Sequence, residues 1–292
     1  MTTGVRLRCQ DVFGECYVLT MSSNELTSQY AMVSDDDVYQ TAPCRVSWCA
    51  RTFPTYSFYL KFVWNVYRSS VKARRGTYDG LEWSRSCHQV LKSLESVGVR
   101  FEFSGLNHIR HLESPCVFVA NHMSMLETTV LPTIIQPICD VTFVVKQSLL
   151  EFPVFRHVMR ARDPIAVSRN NPREDFIAVM RGGIERLQKG ISIIVFPQSI
   201  RSLTFHPFQF NTIGVKLARR ANVPVVPIAL KTDAWGNGKW LPYLGEIDPN
   251  KVVHFAFGEP ILIEGHGTRQ HQEIINYITA QLGHWCAEGN PQ

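Results

Sequence analysis

A histidine and a glutamate stand five positions apart in the stretch FVANHMSMLETT, Phe118 to Thr129, where the chain otherwise reads as a buried strand running into a buried helix. On an ideal helix such positions point roughly 140° away from each other. His122 and Glu127 therefore meet only if His122 lies in the turn before the helix and Glu127 in its first turn. In that geometry the carboxylate holds one imidazole N–H, fixes the tautomer and leaves the other ring nitrogen free as a base. Ser124 and Glu127 also fit a capping box, in which Ser124 accepts from a first-turn N–H and Glu127 reaches back to the N-cap N–H. Capping explains the serine and the glutamate without chemistry. It leaves Asn121 and His122 unexplained where CVFVAN leaves its sheet, the usual place for functional groups in an open α/β fold.

The elements that must position these residues alternate along the chain. A helical pattern at LEWSRSCHQVLKSLESVG precedes the strands VRFEFSG and CVFVAN. An apolar helix after Met125, the strand VTFVVK, a helix over SLLEFPVFRHVMR and the strand PIAVSR follow. Then come the helix REDFIAVMRGGIERLQKG, the strand ISIIVFP, the helix TIGVKLARRA, the strands VPVVPIAL and VVHFAF, and an amphipathic C-terminal helix with Ile274, Ile275, Ile278 and Leu282. This alternation predicts an α/β sheet covered by helices on both faces. There is no internal repeat and no low-complexity tract.

Composition narrows the classes. With 292 residues, 45% hydrophobic and 19% charged, the chain can bury a sizeable core and is not disordered. A formal charge of +5, without a recognition helix, zinc-finger spacing or aromatic RNA-binding signature, excludes nucleic acid as the expected partner. The eight cysteines include no C-x-x-C pair, which reads as reduced cytosolic thiols. No basic-then-apolar signal peptide and no run of eighteen apolar residues is present, so no transmembrane segment is expected.

Residues 1–50 read as an N-terminal extension with the acidic SDDD at Ser34–Asp37 and little periodicity; translation from Met21 or Met32 is an alternative. Residues 51–292 form the main domain, with its motif-bearing core at 115–232. After Pro54, TYSFYLKFVWNVYRSSVKARRG is aromatic and then basic, at Arg68, Lys72, Arg74 and Arg75. It reads equally as a helix lying in a membrane interface and as a core helix with a solvated basic end. The interfacial reading would insert Phe58, Phe62 and Trp64.

Four blocks in this order resemble the glycerolipid acyltransferases, the family of 1-acylglycerol-3-phosphate O-acyltransferase and glycerol-3-phosphate acyltransferase. NHMSMLE resembles its N-H-x-x-x-x-D block, with His122 at the base and Glu127 in place of the usual aspartate. IAVSR resembles the second block, with Arg169 at the arginine and Ser168 replacing the acid. FPQSIRS resembles F-P-E-G-T-R-S, and VPVVPIAL resembles the fourth block with Pro227. The departures are Gln198, Ser199 and Ile200. A side chain at the glycine position crowds a turn that approaches the substrate, and a hydroxyl is lost.

The resemblance implies a mixed, largely parallel sheet flanked by helices, with an N-terminal interfacial helical segment. It also implies that His122 takes the proton from an acceptor hydroxyl as that hydroxyl attacks the thioester of acyl-CoA or acyl carrier protein, with Glu127 stabilising the imidazolium. Arg169 and Arg201 would hold the acceptor phosphate, and Asn121, Ser124, Ser199 and Pro227 would complete the substrate site. No metal and no resident cofactor are implied. The partners are a lysophospholipid, most simply 1-acylglycerol-3-phosphate, the acyl donor, and anionic membrane lipids at the cytoplasmic face, where the protein would be peripheral.

Lyso-ornithine lipid, other lysophospholipids and lipid A precursors are alternative acceptors, and a non-catalytic lipid-binding relative is the rival from another class. A serine hydrolase would need G-x-S-x-G, which PQSIR lacks. A zinc hydrolase would need further ligands beside His122, and His108, His111 and His122 contain no i, i+4 pair. Met125, Leu126, Val130 and Leu131, with Phe58, are candidates for an acyl groove, although helix spacing favours core packing for most of them.

Overall fold

The computed structural model describes residues 6–10, 16–20, 37–152, 155–198, 200–238 and 244–288. They divide into two compact units, Met1–Asp36 and Asp37–Gln292. In the first, β1 (Arg6–Gln10) pairs antiparallel with β2 (Cys16–Thr20). Met21, Met32, Ser34, Asp35 and Asp36 lie outside the described residues, as does Ser199.

The second unit begins with β3 (Tyr39–Gln40), α1 (Trp48–Thr52), α2 (Pro54–Arg74), α3 (Gly80–Glu95), β4 (Arg100–Ser104), α4 (Asn107–Arg110), β5 (Val117–Ala120) and α5 (Leu126–Ile135). It continues through β6 (Val141–Lys146), α6 (Gln147–Glu151), α7 (Arg156–Arg160), β7 (Ile165–Val167), α8 (Pro172–Gln188) and β8 (Ser192–Val195). The chain ends with α9 (Ile213–Ala221), β9 (Val225–Lys231), β10 (Val252–Phe257) and α10 (Thr268–Glu288). Residues 39–50, read from sequence as part of the extension, thus supply an edge strand and a helix to this unit. The single helix expected over SLLEFPVFRHVMR is two, α6 and α7. Phe152 ends α6 in an extended conformation, φ −64° and ψ 119°, as the residue before a proline must.

The eight strands lie in the order β3-β4-β10-β9-β5-β8-β6-β7. The pairs β3/β4 and β10/β9 are antiparallel and the others parallel, so the sheet is mixed and largely parallel, as expected. Strands β5 and β8 are buried at every position, which is why they read as unbroken apolar runs rather than as alternation. Helices α8, α9 and α10 pack on the sheet around Val119, Ile193, Val225 and Ala229; α3 packs against both α2 and α5.

Helix α2 resolves the two readings of the aromatic segment, because each describes one of its faces. Phe58 and Phe62 are 0% and 3% exposed and meet Trp235 at ring distances of 4.9 and 5.3 Å. Tyr59 Oη donates to Gly245 O at 2.7 Å, fixing the same face. Tyr56, Leu60, Val63, Trp64 and Tyr67 recur at helical spacing on the opposite side and are all exposed. Phe58 and Phe62 therefore belong to the core, and the exposed stripe runs through Leu60, Val63 and Trp64. Among the described residues no helix is long and apolar enough to cross a membrane.

Gly214 lets α9 lie directly on β5, the strand that delivers His122. A Cβ there would come within 2.5 Å of Val119 Cγ2. Gly214→Ala should cost about 1–3 kcal/mol through overpacking, despite the better helix propensity of alanine, and this should appear as a lower Tm in thermal denaturation.

Candidate active site

Strand β5 stops at Ala120, and the chain turns over Asn121–Met125 before α5 begins. Met125, which flanks the first helical residue, makes no side-chain cap. Ser124 takes that role, accepting from Leu126 N–H at 3.1 Å, and Glu127 turns back to accept from Met123 and Ser124 N–H at 2.7 and 2.9 Å. The capping reading is therefore correct in kind.

The same carboxylate also holds the histidine. His122 Nδ1 donates to Glu127 Oε1 at 2.8 Å, so the capping reading and the dyad reading describe one group. The second oxygen, Oε2, accepts from the hydroxyl of Thr232 at 2.6 Å and lies 3.0 Å from that of Ser124. Glu127 has no exposure. Burial pushes its carboxyl up, but the His122 contact, the Thr232 hydroxyl and the Ser124 N–H outweigh it and hold the group below the usual carboxylate range. It is a fully engaged anion that fixes the His122 tautomer. His122 Nε2 has no partner among the described residues.

Phe196, Gln198 and Ser202 secure the histidine from the other side. Gln198 Oε1 accepts from His122 N–H at 2.8 Å, and Ser202 N–H donates to His122 O at 2.9 Å. The Phe196 ring stacks on the imidazole at 4.3 Å and 20°. Gln198 Nε2 is buried without a partner among the described residues. From sequence Gln198 stands out only as a departure from the third block, and Thr232 and Phe196 are given no role. The only signal for Gln198 was its place in FPQSIRS, and Thr232 lies just past VPVVPIAL with nothing to mark it.

The other expected residues fall into two groups. Arg169 and Arg201 line a cavity of about 730 Å³ together with His122. Arg169 adopts a left-handed backbone, φ +61°, rare for a residue with a side chain. Its N–H donates to Asp175 Oδ2 at 2.7 Å, while the N–H and hydroxyl of Ser168 donate to Oδ1 at 2.7 and 3.1 Å. Asp175, in the first turn of α8, thus holds the bend that presents Arg169. Asn121, Ser124 and Pro227 lie behind the dyad and do not line the cavity. Asn121 uses both ends of its amide on Leu230, donating to its O at 2.7 Å and accepting from its N–H at 2.8 Å. Pro227 pairs with Val119 inside the sheet.

The apolar wall of the cavity comes from several elements: Phe62 and Val66 of α2, Trp83 and Val90 of α3, Phe143 of β6 and Met159 of α7. Of the α5 candidates only Met125 reaches it; Leu126, Val130 and Leu131 are core, and so is Phe58. The volume and lining suit an apolar ligand with a polar end.

The Glu127 carboxyl titrates lower in the folded chain than in the unfolded one, so its contribution to stability is present above the ordinary carboxylate value, about 4.3, and is lost as pH falls through the lowered folded value. Glu127→Gln should cost about 1.5–3 kcal/mol at neutral pH, and the gap from the parent chain should narrow on acidification. Denaturant melts of both proteins between pH 3 and 7 measure this.

The family model described as acyltransferase matches residues 100–231, the span from β4 to the end of β9. A 1-acyl-sn-glycerol-3-phosphate acyltransferase of Pseudomonas aeruginosa is 31% identical over 195 residues, covering 66% of this chain and 72% of that protein. The chloroplastic 1-acyl-sn-glycerol-3-phosphate acyltransferase BAT2 of Brassica napus is 28% identical over 176 residues, covering 57% of this chain and 49% of that one. The crystal structure of the Thermotoga maritima acyltransferase PlsC shares the fold, with a TM-score of 0.57 over 90% of this chain and 97% of that chain at 18% identity. Together with the order of the four blocks, these matches establish that the chain belongs to the acyltransferase family and is an O-acyltransferase.

Proposed function

We propose that the chain transfers an acyl group from a thioester donor, acyl-CoA or acyl carrier protein, to the free hydroxyl of 1-acylglycerol-3-phosphate, giving phosphatidate. The observation that carries this reading is the buried His122–Glu127 pair at the wall of a largely apolar cavity that also bears Arg169 and Arg201. The relatives' names support the acceptor.

His122 Nε2 takes the proton of the acceptor hydroxyl as its oxygen attacks the thioester carbon, and Glu127 stabilises the imidazolium that forms. The tetrahedral intermediate then expels the thiolate. The C–S bond breaks, and the imidazolium returns its proton to sulfur. No acyl-enzyme and no resident cofactor enter the sequence. Arg169 and Arg201 hold the phosphate by charge-assisted hydrogen bonds, so that the hydroxyl lies beside His122. The exposed stripe of α2 and the basic end at Arg68, Arg74 and Arg75 seat the protein on an anionic membrane surface, from which the acceptor is drawn.

His122→Ala should lower turnover roughly 10²- to 10⁴-fold with the fold retained. Thiol release from acyl-CoA in the presence of lysophosphatidate measures it, and turnover equal to the parent would remove His122 from the chemistry.

Arg201→Ala should lower kcat/KM for lysophosphatidate roughly 10- to 200-fold, and much less for a lysolipid without a phosphate monoester. Arg201→Lys should recover only part of this, since an ammonium lacks the planar fork that matches phosphate oxygens. Equal losses on both acceptors would assign Arg201 to the fold or to the donor.

A further inference from the structure

The connection from β8 to α9 carries exposed apolar side chains. Ile200, Leu203 and Phe208 are 65%, 57% and 103% exposed. The connection is anchored beneath them. Ser202 N–H donates to His122 O, Asn211 Nδ2 donates to Pro197 O, and Phe205 packs edge-on against the buried Phe210. Phe208 lies in a single 3₁₀ turn, Pro207–Gln209, that lifts its ring clear of the protein. Single exposed apolar side chains are ordinary; here three stand on one short anchored connection.

Position and charge together indicate the occupant. Ile200 and Arg201 line the same cavity as His122, and Ile200 is also exposed, so the connection borders that cavity where it meets solvent. A second copy of the chain seated there would obstruct that opening, whereas a bilayer would feed it. From Arg186 to Thr232 the sequence contains no Asp or Glu. The connection and the elements it joins thus bring no carboxylate of their own between Arg186 and Thr232, and Arg201 attracts an anionic headgroup. Helix α2 also lines the cavity, through the buried Phe62 and Val66, and carries its exposed stripe on its other face.

We propose that the Ile200–Phe208 connection is a second membrane-contacting element that inserts Leu203 and Phe208 into an anionic bilayer and, with α2, seats the cavity opening on the lipid surface. This rests on the reading that the acceptor is a membrane lipid, and it adds where that lipid enters. Because Phe208 stands outside the packed structure, replacing it removes no core contact.

The test compares co-sedimentation of the full chain with vesicles of phosphatidylglycerol and phosphatidylcholine and with phosphatidylcholine alone. Leu203→Ser/Phe208→Ser should weaken partition onto the anionic vesicles roughly tenfold, with Tm unchanged. Turnover of a short-chain lysophosphatidate dispersed as monomers should also be unchanged. Leu60→Ser/Val63→Ser/Trp64→Ser, on α2, should weaken partition independently, so that the two sets together exceed either. Phe208→Asp alone serves as a second variant that cannot disturb packing, and it should reproduce most of the loss. Partition within twofold of the parent for both Phe208 variants would overturn the proposal. Unchanged partition with altered sedimentation velocity would likewise overturn it, in favour of a second copy of the chain. A parent chain that binds vesicles through this connection but releases no thiol with any lysolipid would refute the acyl-transfer reading and leave the membrane contact standing.

Discussion

The buried carboxylate of Glu127 is the constraint on which the arrangement of the site depends. An ionised group without exposure is tolerable only when its lone pairs are filled. The donors here come from the imidazole of His122, the main chain of Met123 and Ser124, and the hydroxyl of Thr232 at the end of β9. Satisfying that one charge ties the exit of β5, the entry to α5 and the end of β9 into a single unit. The turn that holds His122 cannot relax into an ordinary loop without stranding the anion. Stability and ring orientation therefore share a cause, and the longer side chain at this position is accommodated because Thr232 stands where the second oxygen falls.

The segment after β8 completes the restraint. His122 is held at its N–H by Gln198, at its carbonyl by Ser202 and on its ring face by Phe196. Main chain, ring plane and tautomer are each set by a different partner, so the imidazole that lines the cavity is held in one orientation.

Much of this was legible in the residues, and what was not has a physical reason. The strands were readable because buried parallel strands are unbroken apolar runs, and the turn between β5 and α5 because His122 and Glu127 can meet in no other way. The faces of α2 were not separable, since aromatic residues recur on both sides and only the position of Trp235 selects Phe58 and Phe62 for the core. The break between α6 and α7 follows Phe152, just before the proline in SLLEFPVFRHVMR, a stretch that reads from sequence as one helix. Asn121, Ser124 and Pro227 were expected at the substrate because they adjoin the motifs. Adjacency in sequence says nothing about which side of a turn a group faces, and all three stand behind the dyad. Thr232 is 105 residues from its partner, a separation no local pattern spans.

Asn121 has a consequence for strand alignment. By meeting both the N–H and the carbonyl of Leu230, its amide imitates the strand residue that would follow Ala120 and closes the β5/β9 ladder with a side chain. In β5 and its neighbour β8 every residue is buried, so no apolar–polar alternation marks the register. A fixed-length amide at the last rung acts as a gauge: a slip of β9 in either direction would leave two buried main-chain groups and both ends of Asn121 unpaired. Alignment of the two central strands is thus decided at their functional end, within one residue of the histidine whose position it determines.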